Sequence, residues 1–182
     1  MDIHELTEEE REQMVEDYLK KMNIERKHLT GQDLEKEIIN YLGKKHPCSL
    51  ATCGKDGVPR ISVVDYLNDG LVLYIFSEGG EKFKNIKENN RVAIGIGTSA
   101  RTTLSVRGVN IWGIAEVFTE ETEEFAYGMQ LFSPILKSMQ ETTGGGPLEI
   151  PKGLLRLIRV TPTKMVYHHN SKGIKNAHWE SV

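Results

Sequence analysis

This sequence has no long apolar run, little net charge and only two cysteines. The chain has 182 residues and a formal net charge of −3. No run is long enough to cross a membrane, and the acidic, polar start MDIHELTEEE does not match a signal peptide. The weak negative charge argues against nucleic acid or an anionic membrane as the main partner. We therefore expect a globular, cytoplasmic protein.

The two cysteines are not placed to bond each other or to share a metal ion. Cys48 and Cys53 fall in a segment with the pattern of one strand, where an odd separation sends side chains to opposite faces. None of the six histidines stands at a zinc-ligand spacing from cysteine or carboxylate. We expect buried free thiols and no metal centre.

Helical patterns fill the first 45 residues. Thr7 and Glu10 have the spacing of a capping box, and an apolar stripe follows them. A second stripe predicts a helix from about Gln32 to Lys44. We therefore divide the chain into an N-terminal helical extension, residues 1–45, and a main domain, residues 46–182.

Strand patterns begin after His46, where the apolar period changes from 3.6 to 2. The runs SLAT, ISVVDY and LVLYIF, separated by the turn sequences GKDG and NDG, predict a three-stranded meander. Further strands are predicted at Val92–Gly97, at Thr103–Phe118 with a bulge or bend at Gly108, and at Leu154–Tyr167. The polar tail is expected to be partly disordered or to order against a partner. About six mostly antiparallel strands with inserted helices predict a small β-barrel.

A glycine loop follows the third apolar run. Gly79 and Gly80 come directly before Lys82 and Lys84. A glycine loop that opens a basic helix favours an anion, because free backbone N–H groups and the helix dipole both attract negative charge. A sheet beside such a loop suggests a phosphorylated ligand lying across the strands. The alternative is that the glycines serve only the turn, since short glycine motifs often arise by chance.

Four segments, taken in order, resemble the FMN-binding split barrel of the pyridoxamine 5′-phosphate oxidase-like superfamily. They are GKDGVPRISVVDY, LVLYIFSEGGEKFKNIKENNRVAIGI, VNIWGIAEVF and RVTPTKMVYH. The resemblance covers roughly His46 to His169 and is greatest to the general-stress-protein and nitroimidazole-resistance-like branches. It implies a mainly β, α+β fold: a six-stranded antiparallel split β-barrel with inserted helices. It also implies a homodimer with FMN at the subunit interface.

The resemblance implies a set of cofactor-binding residues. Arg60 and Lys82 would meet the phosphate, backbone groups after Arg60 would meet the isoalloxazine edge, and the end of the third strand would line the ribityl chain. The set is Arg60, Ile61, Ser62, Val63, Phe76, Ser77, Lys82 and Arg107. The family's loop often carries Ser-Arg-Lys, but this chain has Gly80-Glu81-Lys82, so an acid replaces one of the cations that bind the phosphate. Lys84 and Arg107 are the candidates to compensate for that cation, and Arg107 is included for this reason.

An open barrel exposes apolar strand faces and edges that are normally covered. The apolar face of VNIWGIAEVF is the candidate for part of the dimer cover. Trp112 in this segment has two interpretations, a core residue or a ring stacked near a partner's flavin, and we expect the core position.

The same family pattern excludes one activity. Asp65 stands where true pyridoxamine phosphate oxidases carry a lysine for the substrate phosphate, and a carboxylate repels that group. The Arg-Leu-Ala-Pro ending of those enzymes is also absent. We therefore expect an FMN-dependent oxidoreductase that is not a pyridoxamine phosphate oxidase, and we name no catalytic side chain. The alternatives are a non-catalytic flavin- or haem-binding protein for storage or sensing, and a deazaflavin-dependent reductase. His168 and His169, where the last strand ends, have two interpretations, contact with a flavin or haem or an exposed pair at the strand end, and we expect the exposed pair.

Overall fold

The computed structural model describes residues 6–44, 47–98, 100–143 and 150–181. These residues form one antiparallel sheet of eight strands and four α-helices. The helices are α1 (Glu8–Lys21), α2 (Gly31–Leu42), α3 (Glu81–Glu88) and α4 (Glu123–Thr143). The strands are β1 (Cys48–Cys53), β2 (Pro59–Val64), β3 (Leu67–Asp69), β4 (Val72–Ser77), β5 (Arg91–Gly97), β6 (Arg107–Phe118), β7 (Arg156–His169) and β8 (Ile174–Glu180). No helix in these ranges is long and apolar enough to span a membrane.

The strand order makes the sheet curl without closing. It runs β2-β1-β5-β6-β7-β4-β3, with β8 also paired to β7. Strands β2 and β3 are at opposite ends of this order, yet only Asp65 and Tyr66 separate them in the chain. Since a two-residue link holds the two ends close together, the sheet forms a half-barrel that is open between β2 and β3. This is the α+β split barrel expected from the sequence, with eight strands rather than the expected six.

The predicted three-stranded meander is wrong in one connection. Strands β1 and β2 form the expected hairpin, with Leu50 opposite Ser62. The run ISVVDY, however, ends as a strand at Val64, and the NDG turn joins the short β3 to β4. Strand β4 then pairs with β7 and not with β2. The strands expected to lie side by side therefore lie on the two sides of the opening.

The bulge in β6 is at Trp112 and Gly113, not at Gly108. Gly113 lies opposite Pro162, which has no N–H to donate to the ladder. A Cβ on Gly113 would lie 2.5 Å from the carbonyl oxygen of Thr161, so only glycine fits there. Gly108 instead pairs regularly with Gly97, because residues 103–105 form a 3-10 turn and the strand starts at Arg107.

The polar tail is a strand, which corrects the expectation of partial disorder. In β8, Trp179 pairs with Met165 and Ala177 pairs with Tyr167. Met165 and Tyr167 are fully buried, and Trp179 and Ala177 pack against the core beside them. An alternating apolar pattern is thus present in the tail, but it is visible only once the partner strand is known.

The core fills the inside of the half-barrel and includes α2. Strand residues such as Leu50, Ile75 and Ile111 form one buried cluster with residues from α2: Leu34, Ile38, Tyr41 and Leu42. The hydroxyl of Tyr66 donates to the carbonyl of Leu42 at 2.9 Å. Helix α2 therefore covers the barrel of its own chain. The boundary expected between residues 45 and 46 lies outside the described residues.

Both cysteines are free thiols, as expected. Cys48 is buried, and burial raises the pKa of its thiol to about 12. Cys53 is half-buried at the other end of β1.

The N-terminal segment is attached to the loop before β8. Helix α1 begins with the expected capping box of Thr7 and Glu10, and its Leu19 is buried. The N–H of Lys27 donates to the carbonyl of Gly173 at 3.0 Å. Gly173 has φ +72°, and a Cβ there would overlap the carbonyl oxygen of Glu25. The contact between these two segments therefore requires glycine.

We expect Gly173→Ala to lower the free energy of unfolding by about 3 kcal/mol, because backbone strain and displacement of the Glu25 segment add together. Gly57→Ala is the matched control, since Gly57 also has φ +72° but a Cβ on it would meet no other atom within 4 Å. The control should cost only about 1 kcal/mol. Urea unfolding measures both, and equal losses would show that the contact with Glu25 contributes nothing to stability.

Candidate functional site

The glycine loop after β4 opens α3 as the sequence predicts. Gly80 has φ +105° and is the N-cap of α3, where it offers no side chain to the first N–H groups of the helix. The ammonium of Lys82 folds back to the carbonyl of Gly79. Burial lowers the pKa of Lys82. The N-terminus of α3 thus combines N–H groups that no side chain caps with one partly buried cation, which suits an anion.

Polar contacts hold α3 against the β1–β2 hairpin. Asn85 donates to the hydroxyl of Thr52 at 3.0 Å in a buried hydrogen bond. Asn89 donates to the carbonyl of Cys53 at 3.0 Å. Thr52 lies directly opposite Arg60 in the strand register. Helix α3 is therefore held beside the strand pair that carries Arg60.

Two carboxylates already bind the guanidinium of Arg60. Asp56 accepts from it at 2.8 Å and 3.3 Å, and Glu81 pairs with its Nε at 2.5 Å. The hydrogen bond from Arg60 and then the N–H of Val58 lower the pKa of Asp56 to about 2. The pKa of Arg60 is raised, mainly by the carboxylate of Asp56 and to a smaller extent by that of Glu81. Arg60 and Lys82 are thus brought to one place, but an anion there competes with Glu81 for Arg60.

The end of β4 contributes one residue to this site and one to the opposite face of the sheet. Ser77 pairs with Arg156 of β7, whose guanidinium carbon lies 5.0 Å from the ring centre of Phe83 in α3. Phe76 faces α4 instead. A cavity of about 540 Å³ follows the loop along Phe76, Ser77, Glu78, Gly79 and Leu155. Arg156 is a further cation near the site, and the sequence alone does not indicate it, because only the pairing of β4 with β7 brings it there.

Strand β2 presents an open backbone edge. Among the described residues it pairs only with β1, so alternate N–H and C=O groups on its other side have no strand partner. Ser62 lies on the same face as Arg60, whereas Ile61 and Val63 point outward and are 70% and 71% exposed. The three residues expected at the isoalloxazine edge therefore lie along the opening of the barrel.

Arg107 belongs to a different cluster. Its guanidinium pairs with Glu37 of α2 at 3.3 Å and donates to the hydroxyl of Tyr167 at 2.8 Å. Burial opposes ionisation of Glu37, but hydrogen bonds from Lys172 and Tyr167 outweigh it and lower the pKa of that carboxyl. Arg107 lies at the end of β6 that is remote from α3, beside Gly97 and His169. The structure does not bring Arg107 to Arg60 within one chain.

Trp112 is not a core residue, contrary to expectation. Its side chain is 43% exposed on the outer face of the sheet. It lies in one row with Ala93, Ala51 and Ile61 across four strands. The apolar residues that alternate with it in β6, Val109 and Ile111, are buried in the chain's own core.

A curled antiparallel sheet, open on one side, with an arginine and a helix N-terminus at the opening, is the architecture of a split β-barrel. A sequence model of the family described as pyridoxamine 5′-phosphate oxidase matches residues 34–169, well over half of the chain. The chain belongs to this family. A search of curated proteins finds no match.

Solved structures share the fold at low sequence identity. General stress protein 26 from Bacillus anthracis str. Sterne is 15% identical, with a TM-score of 0.58 over 81% of this chain and 98% of that one. A FAD-binding protein from Mesorhizobium loti is 18% identical, with a TM-score of 0.54 over 71% and 90%. The haem storage protein HutZ from Vibrio cholerae is 17% identical, with a TM-score of 0.57 over 76% and 98%. At these identities the likeness shows the fold alone.

Proposed function

We propose that this protein binds FMN at the opening of its half-barrel and is an FMN-dependent oxidoreductase, although not a pyridoxamine phosphate oxidase. The observation that carries the proposal is the meeting of Arg60 with the N-terminus of α3. An FMN phosphate is a dianion, and the fork of an arginine, the point charge of a lysine and free helix N–H groups are the partners it prefers. Bound flavin would supply the electron transfer.

The rest of FMN would follow the opening from this phosphate site. The loop cavity beside Ser77 is adjacent to Gly79, which suits the ribityl chain. The unpaired backbone edge of β2 offers donors and acceptors to the polar edge of the isoalloxazine ring. The chain's own residues would therefore bind and orient the flavin, and no side-chain acid or base is needed for that role.

We also propose that the functional unit is a homodimer. The outer face of β2, β1, β5 and β6 is weakly polar. Two rows of residues cross it: Ile61, Ala51, Ala93 and Trp112, then Val63, Ser49, Gly95 and Asn110. Small residues line its centre, and exposed Ile61, Val63 and Trp112 flank them. A second copy of this chain suits the face because the cofactor edge of β2 is continuous with it. Two-fold pairing would then place two flavins at the interface.

Haem and deazaflavin are the competing cofactors. HutZ shows that a protein of this fold stores haem. In this chain His169 faces Glu37 at 3.5 Å, and His168 packs against Gly108. Burial lowers the pKa of both imidazoles. Both histidines lie at the remote end of β6 with Arg107, whereas the anion-binding features lie at α3, and this favours a phosphorylated flavin.

The proposal is tested by the molecule that copurifies and by what the chain binds. Mass spectrometry and a visible spectrum of the purified protein distinguish flavin, deazaflavin and haem. Titration with FMN and with riboflavin then isolates the phosphate. We expect FMN to bind about a hundredfold more tightly, since a few charge-assisted hydrogen bonds supply that difference. Equal affinities would contradict the phosphate site.

Glu81 gives this proposal a specific test. Because its carboxylate pairs with Arg60, a bound phosphate must displace it and lie near a like charge. We expect Glu81→Gln to tighten FMN by about two- to fivefold, the range for an exposed charge pair, and Glu81→Arg to tighten it further. Riboflavin affinity should not change.

Glu9→Gln is the control for a general effect of charge, because Glu9 is exposed on α1, outside the loop cavity and without an ion pair to Arg60 within 4 Å. A weaker FMN complex in Glu81→Gln would mean that Glu81 positions Arg60 for the phosphate and does not compete with it.

A further inference from the structure

A second cavity lies on the other side of Phe76 from the glycine loop. Its volume is about 480 Å³, within the range of small-molecule sites. Aromatic and aliphatic side chains form nearly all of its wall: Val64, Tyr66, Leu67, Tyr74, Phe76, Phe132, Ile135, Met139 and Leu155. The remaining lining residue is Asp65. This second cavity shares Phe76 and Leu155 with the loop cavity, so the two cavities are neighbours.

Helix α4 forms the outer wall of this cavity. Phe76 packs against Phe125 and Phe132, with ring centres 5.4 and 5.5 Å apart. A Cβ on Gly128 would lie 2.9 Å from Leu157, so glycine lets the helix approach the sheet closely. Farther along the helix, Ile135 and Met139 remain 38% and 47% exposed. The cavity is therefore apolar on both walls and open to solvent along α4.

Asp65 gives the cavity its charge. It is exposed on the two-residue link between β2 and β3, at the opening of the barrel. No lysine or arginine is among the described residues that line the cavity. The lining therefore combines one carboxylate with several aromatic faces, and both attract a cation.

We propose that this cavity binds an organic cation, a molecule with a one- or two-ring apolar body and a protonated amine that pairs with Asp65. Burial of the rings against Phe76, Phe132 and Ile135 supplies affinity, and the carboxylate selects the charge. The role of this cavity as the substrate compartment of the enzyme rests on the proposed flavin site next to it. Its role as a binding site for amines depends on the cavity alone.

Three matched probes test the proposal: 1-naphthylmethylamine, 1-naphthylmethanol and 1-naphthylacetate, which share the ring and differ in charge. Calorimetric titrations use the full chain, with and without saturating FMN. We expect the amine to bind about tenfold more tightly than the alcohol, and the acetate to bind most weakly. Asp65→Asn should remove the preference for the amine and leave the alcohol unchanged. Asp33→Asn, the same exchange at an exposed site in α2, should change neither.

The proposal would be overturned if the parent protein bound the amine and the alcohol with equal affinity. It would also be overturned if Asp65→Asn and Asp33→Asn had the same preference for the amine over the alcohol. Loss of amine binding at saturating FMN would overturn the role as substrate compartment, because the cavity would then hold the flavin itself. If the chain prefers the amine but binds no flavin, the amine site is supported and the flavoprotein assignment alone fails.

Discussion

Replacing Arg60 with alanine is expected to weaken FMN binding by about a hundredfold and to leave riboflavin binding unchanged. A charge-assisted hydrogen bond contributes about 1.5–3 kcal/mol, which corresponds to roughly ten- to a hundredfold in affinity. The upper end applies here because the substitution also leaves Asp56 and Glu81 without their cation. Both carboxylates would then repel the phosphate.

Fluorescence quenching of the flavin measures this effect. Arg60→Lys keeps the charge but loses the fork, so its loss should be about tenfold. Lys82→Ala should also cost about tenfold, since it removes one cation at the helix N-terminus. Arg159→Ala is the matched control, because Arg159 also forms an ion pair, with Glu116 at 2.7 Å, and lies on β7 away from α3. Equal FMN affinity in the parent, Arg60→Ala and Lys82→Ala proteins would contradict the site.

The parts of this site that the sequence predicts are those fixed by local geometry. Gly79, Gly80 and Lys82 are neighbours in the chain, and a glycine loop before a basic helix has one simple interpretation. Arg60 entered through the family resemblance, and the structure brings it to the same place. Arg156 was missed because it reaches Ser77 only through the pairing of β4 with β7, two strands far apart in the sequence.

The fold, like the site, was predictable from the sequence only where neighbouring residues determine it. Strand patterns and the β1–β2 hairpin follow from turn residues and alternation, which are local. Strand order is not local, and the expectation that β2 lies next to β4 assumed that each short turn joins adjacent strands. Asp65 and Tyr66 instead carry the chain across the opening of the half-barrel. Strand β8 was missed for the same reason, since its alternate residues are polar and its apolar ones find their partners only on β7.

Glu81 shows where sequence and structure complement each other. The sequence identifies it as an acid in place of an expected cation, which suggests a weak phosphate site. The structure adds that this acid is a partner of Arg60. A carboxylate that holds the arginine in place before the ligand arrives lowers affinity for the phosphate while it preserves the geometry of the site. The affinity of the proposed site for FMN would therefore be adjustable by a single residue.

The second large effect is expected at the outer face of the sheet. Ile61 and Val63 are 70% and 71% exposed on β2, an unusual state for branched apolar residues on a strand. If a second copy covers them, Ile61→Glu with Val63→Glu places like charges on both sides of a two-fold interface. Burying such charges unpaired costs several kcal/mol. The dissociation constant of the dimer should therefore rise by about a hundredfold or more.

Sedimentation velocity at micromolar concentration distinguishes the outcomes. The parent should be a dimer and the double variant a monomer, while Met14→Glu, which also adds a charge at an exposed apolar residue but on α1, should stay dimeric. Circular dichroism verifies that the double variant is folded, which is expected because neither side chain is buried. If the flavin lies at the interface, the monomer should also lose FMN. A folded monomer that keeps FMN would place the cofactor within one chain, and a parent that is monomeric with flavin bound would overturn the homodimer.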